Sequence, residues 1–381
     1  MRLLTMLTVL LIPLMLLSVA TGYSVEEDHA AIRKKAQKHY RDGNYKDALG
    51  LIKRLCLEIQ NDPRQVGSDL NQAWQSLQQL NRLDEIDQFR ERVIARHSTN
   101  WRLLMAAAQN YVSTNHWGFM IAGEFERGGH RGGGKAVNAI LRDRTRALQL
   151  MQQAMRLAED DPATVEVSHF FIAYGRMLNQ FRGQSQSWRL HALTDLSSLP
   201  DYEPGYGYEY DRRPAGASVD IDGRPIFHKL PSSWESAETD GERWRWVNHR
   251  AVQLNAQLKA QVLYNYATFL HQQFGVQTMA QYGPLLGWGR PAAQDRAKDP
   301  NAAAYAVHTL NDTETIAKLA VGVKRFNLSA GHNFIKILEE IADQPNQGYA
   351  DNATQLLAQI YENRKQYARA ADYWKKYEQY N

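Results

Sequence analysis

Residues 30–56 read AAIRKKAQKHYRDGNYKDALGLIKRLC, and residues 352–381 read NATQLLAQIYENRKQYARAADYWKKYEQYN. The two stretches share one spacing. A small residue (Ala36, Ala358) is followed three positions on by His39 or Tyr361. A polar turn ends at Tyr45 or Tyr367, and the pattern resumes at Ala48 or Ala370. Leu51, Ile52 and Leu55, or Tyr373, Trp374 and Tyr377, then supply bulk. Small residues let two antiparallel helices approach closely, while large ones fill the neighbouring groove. This is the pattern of a tetratricopeptide (TPR) hairpin. Such a hairpin cannot bury its own apolar face, so it stacks on neighbours and offers a surface to partners. The expected fold is mainly α, a TPR-like α-solenoid of helical hairpins with a small β-hairpin insertion.

Between the ends, the 3.6-residue period continues. Residues 66–96 form a second helical pair, with Leu70, Ala73, Leu77 and Leu80 on one helix and Ile86, Phe89 and Val93 on the next. Further helices are expected over 101–112, 142–158, 165–181, 240–252, 257–274, 313–323 and 332–342. Asp240 stands where the helix 240–252 needs an N-cap. Residues 197–240 break the pattern with recurrent Pro and Gly. Within them Asp222-Gly223, set between alternating apolar residues, predicts a β-hairpin over 218–228. Segment 281–301, rich in Gly, Pro and Ala, reads as an irregular connection. The expected organisation is therefore residues 1–22 as a leader, 23–196 as an N-terminal helical region, 197–240 as an insertion, and 241–381 as a C-terminal helical region.

The 381 residues carry 45 basic and 41 acidic side chains, a formal charge of +4. That balance, without a concentrated basic block, argues against a nucleic-acid partner. Residues 1–22 read MRLLTMLTVLLIPLMLLSVATG, with Arg2 followed by an uncharged run from Leu3 to Val19. Small residues at 18–22 suit a signal peptidase. The expectation is export to the periplasm or cell surface, with residues 3–19 either cleaved or kept as an inner-membrane anchor. A membrane contact is expected only through that segment. The single cysteine, Cys56, excludes both a disulfide framework and a thiolate metal site.

No catalytic constellation stands out. The stretch from Gly129 to Lys135 spells G-x-x-x-x-G-K, but Ala136 replaces the hydroxyl residue that a phosphate-binding loop places on magnesium. Residues 119–122 before it read as a strand, but nothing else suggests a parallel sheet, and a Gly-rich turn packed on helices, with Arg127 and Arg131 in local ion pairs, accounts for the stretch better. None of the twelve histidines forms His-x-x-x-His, and no serine lies in a Gly-x-Ser-x-Gly elbow. No catalytic residue, cofactor or metal ligand is therefore assigned. Trp244 and Trp246 point about 200° apart on a helix, so at least one must be packed inside. Tyr202, Tyr206, Tyr208 and Tyr210 form an aromatic patch in the insertion that either meets a protein or covers an apolar face. Trp374, Tyr377 and Tyr380 form a second patch on the last hairpin.

Six strings occur in a fixed order: FERGGHRGGG (125–134), RDRTRALQLMQQAM (142–155), WRLHALTDLSSLPDYE (188–203), DGERWRW (240–246), FGVQTMAQYG (274–283) and IAKLAVGVKRF (316–326). As a set they resemble the N-terminal helical-repeat region of bacterial, planctomycete-like alpha-2-macroglobulin family proteins, over nearly all of the chain after the leader. The resemblance implies a protease-trapping system in which a bait segment is cut and, in many members, a thioester captures the protease. Cys56-Leu57-Glu58-Ile59-Gln60 departs from the thioester motif, in which Glu-Gln closely follows the cysteine. No bait segment is identifiable and no functional residue carries over. The implied role is a non-catalytic exported scaffold, the front part of such an inhibitor, with downstream macroglobulin domains or envelope proteins as partners. A free-standing periplasmic TPR adaptor is the alternative, and a carbohydrate-active enzyme or lectin using the Tyr and Trp residues is a third.

Overall fold

The computed structural model describes residues 28–207, 216–274, 306–319, 322–345 and 348–380. The fold is mainly helical with small antiparallel sheets. It forms two compact units, Met1–Ser98 and Thr99–Asn381. The leader expected at 1–22 and the irregular connection expected at 281–301 lie outside the described residues, as do Tyr208 and Tyr210.

The first unit contains α1 (His29–Arg41), α2 (Tyr45–Leu57), α3 (Val66–Gln79) and α4 (Ile86–Arg96). Ala36 and Ala48 are fully buried where α1 meets α2, as the small-residue spacing requires. Ile52, Leu55, Leu70, Ala73 and Leu77 complete this core. A buried carboxylate fastens it. Asp69 of α3 accepts from Arg33 of α1 through Oδ1 and Oδ2, both at 2.9 Å, and from Asn61 Nδ2 at 2.9 Å. The same Asn61 amide donates to Leu55 O at 2.9 Å, which closes the α2–α3 connection. Cys56 is a free, buried thiol; burial raises its pKa, and the nearby Asp69 charge adds to the effect.

The second unit begins with α5 (Trp101–Ser113), which Asn100 caps by accepting from the amides of Arg102 and Leu103. The strands β1 (Trp117–Ile121), β2 (Glu124–Arg127) and β3 (Lys135–Asn138) follow, then α6 (Ile140–Ala158) and α7 (Thr164–Asn179). The two-residue strand β4 (Glu203–Pro204) precedes α8 (Asp240–Leu254) and α9 (Lys259–Gln272). The hairpin β5 (Glu314–Leu319) and β6 (Gly322–Asn327) leads into α10 (Phe334–Ala342), α11 (Ala350–Asn363) and α12 (Tyr367–Tyr377). Ala358 and Ala370 are buried between the last two helices, and the rings of Tyr361 and Tyr373 stack 5.5 Å apart.

Three expectations change. The helix expected over 313–323 is the β5–β6 hairpin, with Thr315 and Ile316 buried opposite Phe326 and Arg325. A short apolar run fits either period, and the β-branched residues of this one settle it as strand. The hairpin expected at 218–228 is a turn with one bridge, Val219 to Pro225. The insertion instead contributes β4, which pairs with β3. Asp240 is the first residue of α8 rather than its cap; Thr239 takes that place, its side chain accepting from Glu242 N at 3.1 Å. Asp240 is buried and serves tertiary structure, accepting from Thr194 N at 3.0 Å and from Arg144 of α6 at 3.3 Å.

Three helix connections end alike. After α1, α3 and α11, an amide reaches back to close a wide turn: Asn44 N to His39 O at 2.8 Å, Arg82 N to Leu77 O at 2.9 Å and Gln366 N to Tyr361 O at 2.9 Å. Each turn needs a left-handed residue, supplied by Gly43 (φ 79°), Asn81 (φ 54°) and Lys365 (φ 59°). Lys365 occupies that conformation against its steric preference. The variant Lys365→Gly is expected to raise stability by about 0.5–1 kcal/mol, read as a higher urea midpoint at unchanged slope.

Burial also sets the acid response. His228 and His271 are held neutral, their pKa values lowered to about 3 chiefly by burial. Their folded pKa lies below the unfolded value near 6.5, so their stability contribution is complete above that value. It is lost as pH falls from there towards 3, at up to about 1.4 kcal/mol per pH unit for each ring. Urea midpoints between pH 7 and pH 5 are expected to drop accordingly, and to drop less for His228→Gln and His271→Gln.

Candidate functional site

The β1–β2 hairpin begins with a two-residue loop. Ala122 and Gly123 both have positive φ, 48° and 89°, and Ile121 pairs directly with Glu124. This is the primed turn whose twist matches paired strands. β1 then takes β3 on its other side, and the sheet order is β2-β1-β3-β4, antiparallel throughout. Gly118 allows the close pairing: a Cβ there would lie 2.1 Å from Glu126 O.

Strand alternation separates two faces. On one, Arg127 carries a buried guanidinium that meets Asp143 of α6 in a double contact, Nη1 to Oδ2 at 2.8 Å and Nη2 to Oδ1 at 2.9 Å. His116, just before β1, joins the same carboxylate through Nδ1 at 2.7 Å. Burial alone would raise the pKa of Asp143, but the hydrogen bond from His116 and the Arg127 charge hold it below the ordinary range. Arg127 Nη1 also donates to Asn115 O, which ties the end of the α5–β1 connection to the group. On this side Tyr202 stacks on Phe125 at 4.5 Å, with the Arg142 guanidinium 4.8 Å from its ring.

The other face is aromatic. Trp117 and Phe119 lie on it, 6.3 Å apart, and Tyr206 packs edge-on against both, at 5.6 Å and 6.2 Å. Tyr206 keeps 44% of its surface exposed, and the two strand rings are half-buried. The Gly-rich loop borders this face. His130 pairs with Glu126 at 3.1 Å and tilts against Phe119, while Gly134 passes beside Ile121. That loop joins two strands on either side of β1, and Lys135 opens a strand. A phosphate-binding loop needs the step from strand to helix, so the G-x-x-x-x-G-K spacing has no such geometry behind it.

Two of the tyrosines marked in the insertion, Tyr202 and Tyr206, thus come to the same sheet but on opposite faces. Tyr202 is a covering residue and Tyr206 an exposed one. Trp374 and Tyr377 meet at 5.9 Å on α12, half-buried, with Tyr380 in the following turn. Trp244 and Trp246 both pack: Trp244 on Phe269 at 4.8 Å, Trp246 between Phe171 and Trp234 at 6.0 Å and 6.2 Å. The residues that sequence reading left unmarked are Trp117 and Phe119. Their alternation, Trp-x-Phe-x-Ile over 117–121, was the available signal.

Among the described residues no group of three or more His, Cys, Asp or Glu is placed to hold a metal ion. No helix among them is long and apolar enough to cross a membrane. No protein-family model matches the chain, and no curated protein matches it significantly.

Removing one member of a buried ion pair strands the other. The variants Asp143→Asn and Arg127→Met are each expected to lower unfolding stability by about 3–5 kcal/mol, measured by urea unfolding. A double variant costing far less than the sum of the two would confirm that the groups act as a unit.

Proposed function

We propose that this chain is a non-catalytic, exported interaction protein that binds protein partners. The observation that carries the reading is the half-exposed ring cluster of Trp117, Phe119 and Tyr206 on a sheet face. Trp and Tyr are enriched at binding hot spots because they bury large area at small entropic cost. The helices support the same reading. Buried alanines at both terminal hairpins, Ala36 with Ala48 and Ala358 with Ala370, suit TPR-like packing, and the recurring left-handed turn suits a repeat. A TPR-like α-solenoid is the finer form of the fold proposed here. Export rests on Arg2 and the uncharged run Leu3–Val19.

Partner class rests on sequence strings. FERGGHRGGG (125–134) covers most of β2 and its Gly-rich loop, and RDRTRALQLMQQAM (142–155) covers most of α6. The resemblance to macroglobulin-family front ends thus falls on elements that bound or support the ring cluster. The first partner to test is accordingly a macroglobulin-type protease trap.

Immobilised protein with Trp117→Ala or Tyr206→Ala is expected to retain its envelope partner at least about tenfold less well than the wild-type chain. Unfolding midpoints of these variants should stay near wild type. Equal retention by both variants and wild type would remove the ring cluster from the function.

A further inference from the structure

A cavity of about 360 Å³ lies among α7, α8 and α9, away from the aromatic face of the sheet. Arg176 and Asn179 of α7 line one side, spaced three residues apart and therefore on one stripe. Asn265, Phe269 and Gln272 form the matching stripe of α9. From Tyr264 to Gln272 that stripe runs about 12 Å at about 1.5 Å per residue. An extended chain covers the same length with three to four residues at about 3.3 Å each.

The lining has a definite chemistry. Among the described residues the lining holds four carboxamide side chains, Asn179, Asn248, Asn265 and Gln272, and no acidic one. A carboxamide offers a donor and an acceptor together, as does the peptide unit it would meet. Asn179 Oδ1 is closed to solvent and has no hydrogen-bond partner among the described residues, so it takes no part in the open surface of the groove. The Asn248 amide is fixed in orientation by donating to Trp244 O at 2.8 Å. The bare Cα of Gly175 leaves it room, since a Cβ there would lie 2.8 Å from Asn248 Nδ2. Trp244 and Phe269, 4.8 Å apart and buried, supply an apolar floor. Arg176, exposed, is the one cation among the described residues of the lining.

We propose that this groove binds a short extended peptide. Its backbone groups pair with the carboxamides of Asn248, Asn265 and Gln272, and a carboxylate of the peptide meets Arg176. A sugar fits less well, because ring stacking needs an open aromatic face and both floor rings are only about 5% exposed. The proposal stands independently of the sheet's aromatic face, and different variants test the two.

The test uses the full chain and a positional-scanning library of hexapeptides, labelled at the N-terminus and free at the C-terminal carboxylate, read by fluorescence polarisation. A subset is expected to bind with micromolar Kd. Arg176→Ala should weaken that subset by about tenfold, the scale of a lost charged hydrogen bond. Asn265→Ala should weaken it several-fold, while Trp117→Ala leaves it unchanged. Arg176 and Asn265 are both exposed, and a circular-dichroism melt checks that each variant is folded. Loss on C-terminal amidation would place the carboxylate at the chain end; loss only on replacing Asp or Glu would place it on a side chain. Either result supports the groove. No hexapeptide binding up to about 1 mM, binding indifferent to both Arg176→Ala and Asn265→Ala, or protection of Asn265 by chitotriose rather than by peptide would overturn it.

Discussion

A carboxylate removed from water must be compensated where it sits, and Asp143 meets that condition with two partners. An isolated buried charge costs several kcal/mol even after relaxation. The paired guanidinium contact from Arg127 and the His116 hydrogen bond offset that cost only in one arrangement. The arrangement fixes β2, the entry to β1 and the first turn of α6 together. A small sheet needs a hydrophobic face or a helix to pack on for independent stability. Fastened to α6, the four short strands hold Trp117, Phe119 and Tyr206 in a fixed array. Asp69 in the first unit and Asp240 at the start of α8 repeat the device, each tying elements distant in sequence through one buried acid.

The helices were legible because a 3.6-residue period extends over ten or more residues and overwhelms local noise. α5, α6, α7 and α8 begin and end within about two residues of where the periodic pattern places them. Of the first sheet only residues 119–122, overlapping β1, read as a strand, and the rest was not legible for two physical reasons. β1 to β3 are four or five residues long, so alternation has few terms to show itself. The β1–β2 turn is Ala122-Gly123, and alanine is not the residue that announces a primed turn, although it adopts one here. The hairpin that Asp222-Gly223 announced did not form as strands, because the flanking segments follow other contacts. Two backbone bonds do cross between the arms, Asp220 N to Arg224 O and Ile226 N to Ser218 O, but the Ser218 hydroxyl turns away to meet that of Ser187 at 2.6 Å, and both reach Gln273 O. Tyr206 was visible as an aromatic residue of the insertion. Its partners Trp117 and Phe119 lie more than eighty positions earlier, and only tertiary structure places them beside it.

The two surfaces proposed for binding have opposite chemistry. The sheet face is aromatic, with one His–Glu pair at its border, and suits a partner that buries apolar area. The helical groove is lined by neutral amides over an apolar floor, and suits a chain whose polarity is in its backbone. A chain with nearly balanced charge gains little long-range steering for either encounter. Contact geometry rather than net attraction would then determine which partner stays.

Among the described strands β2 is at one end of its sheet, the position at which a sheet can meet a strand of another molecule. Glu124 and Glu126 stand on this strand, and it is only four residues long. Two copies approaching edge to edge would bring four carboxylates together, over too few backbone hydrogen bonds to hold them. The shortness of β2 and its two carboxylates thus disfavour strand pairing at this edge.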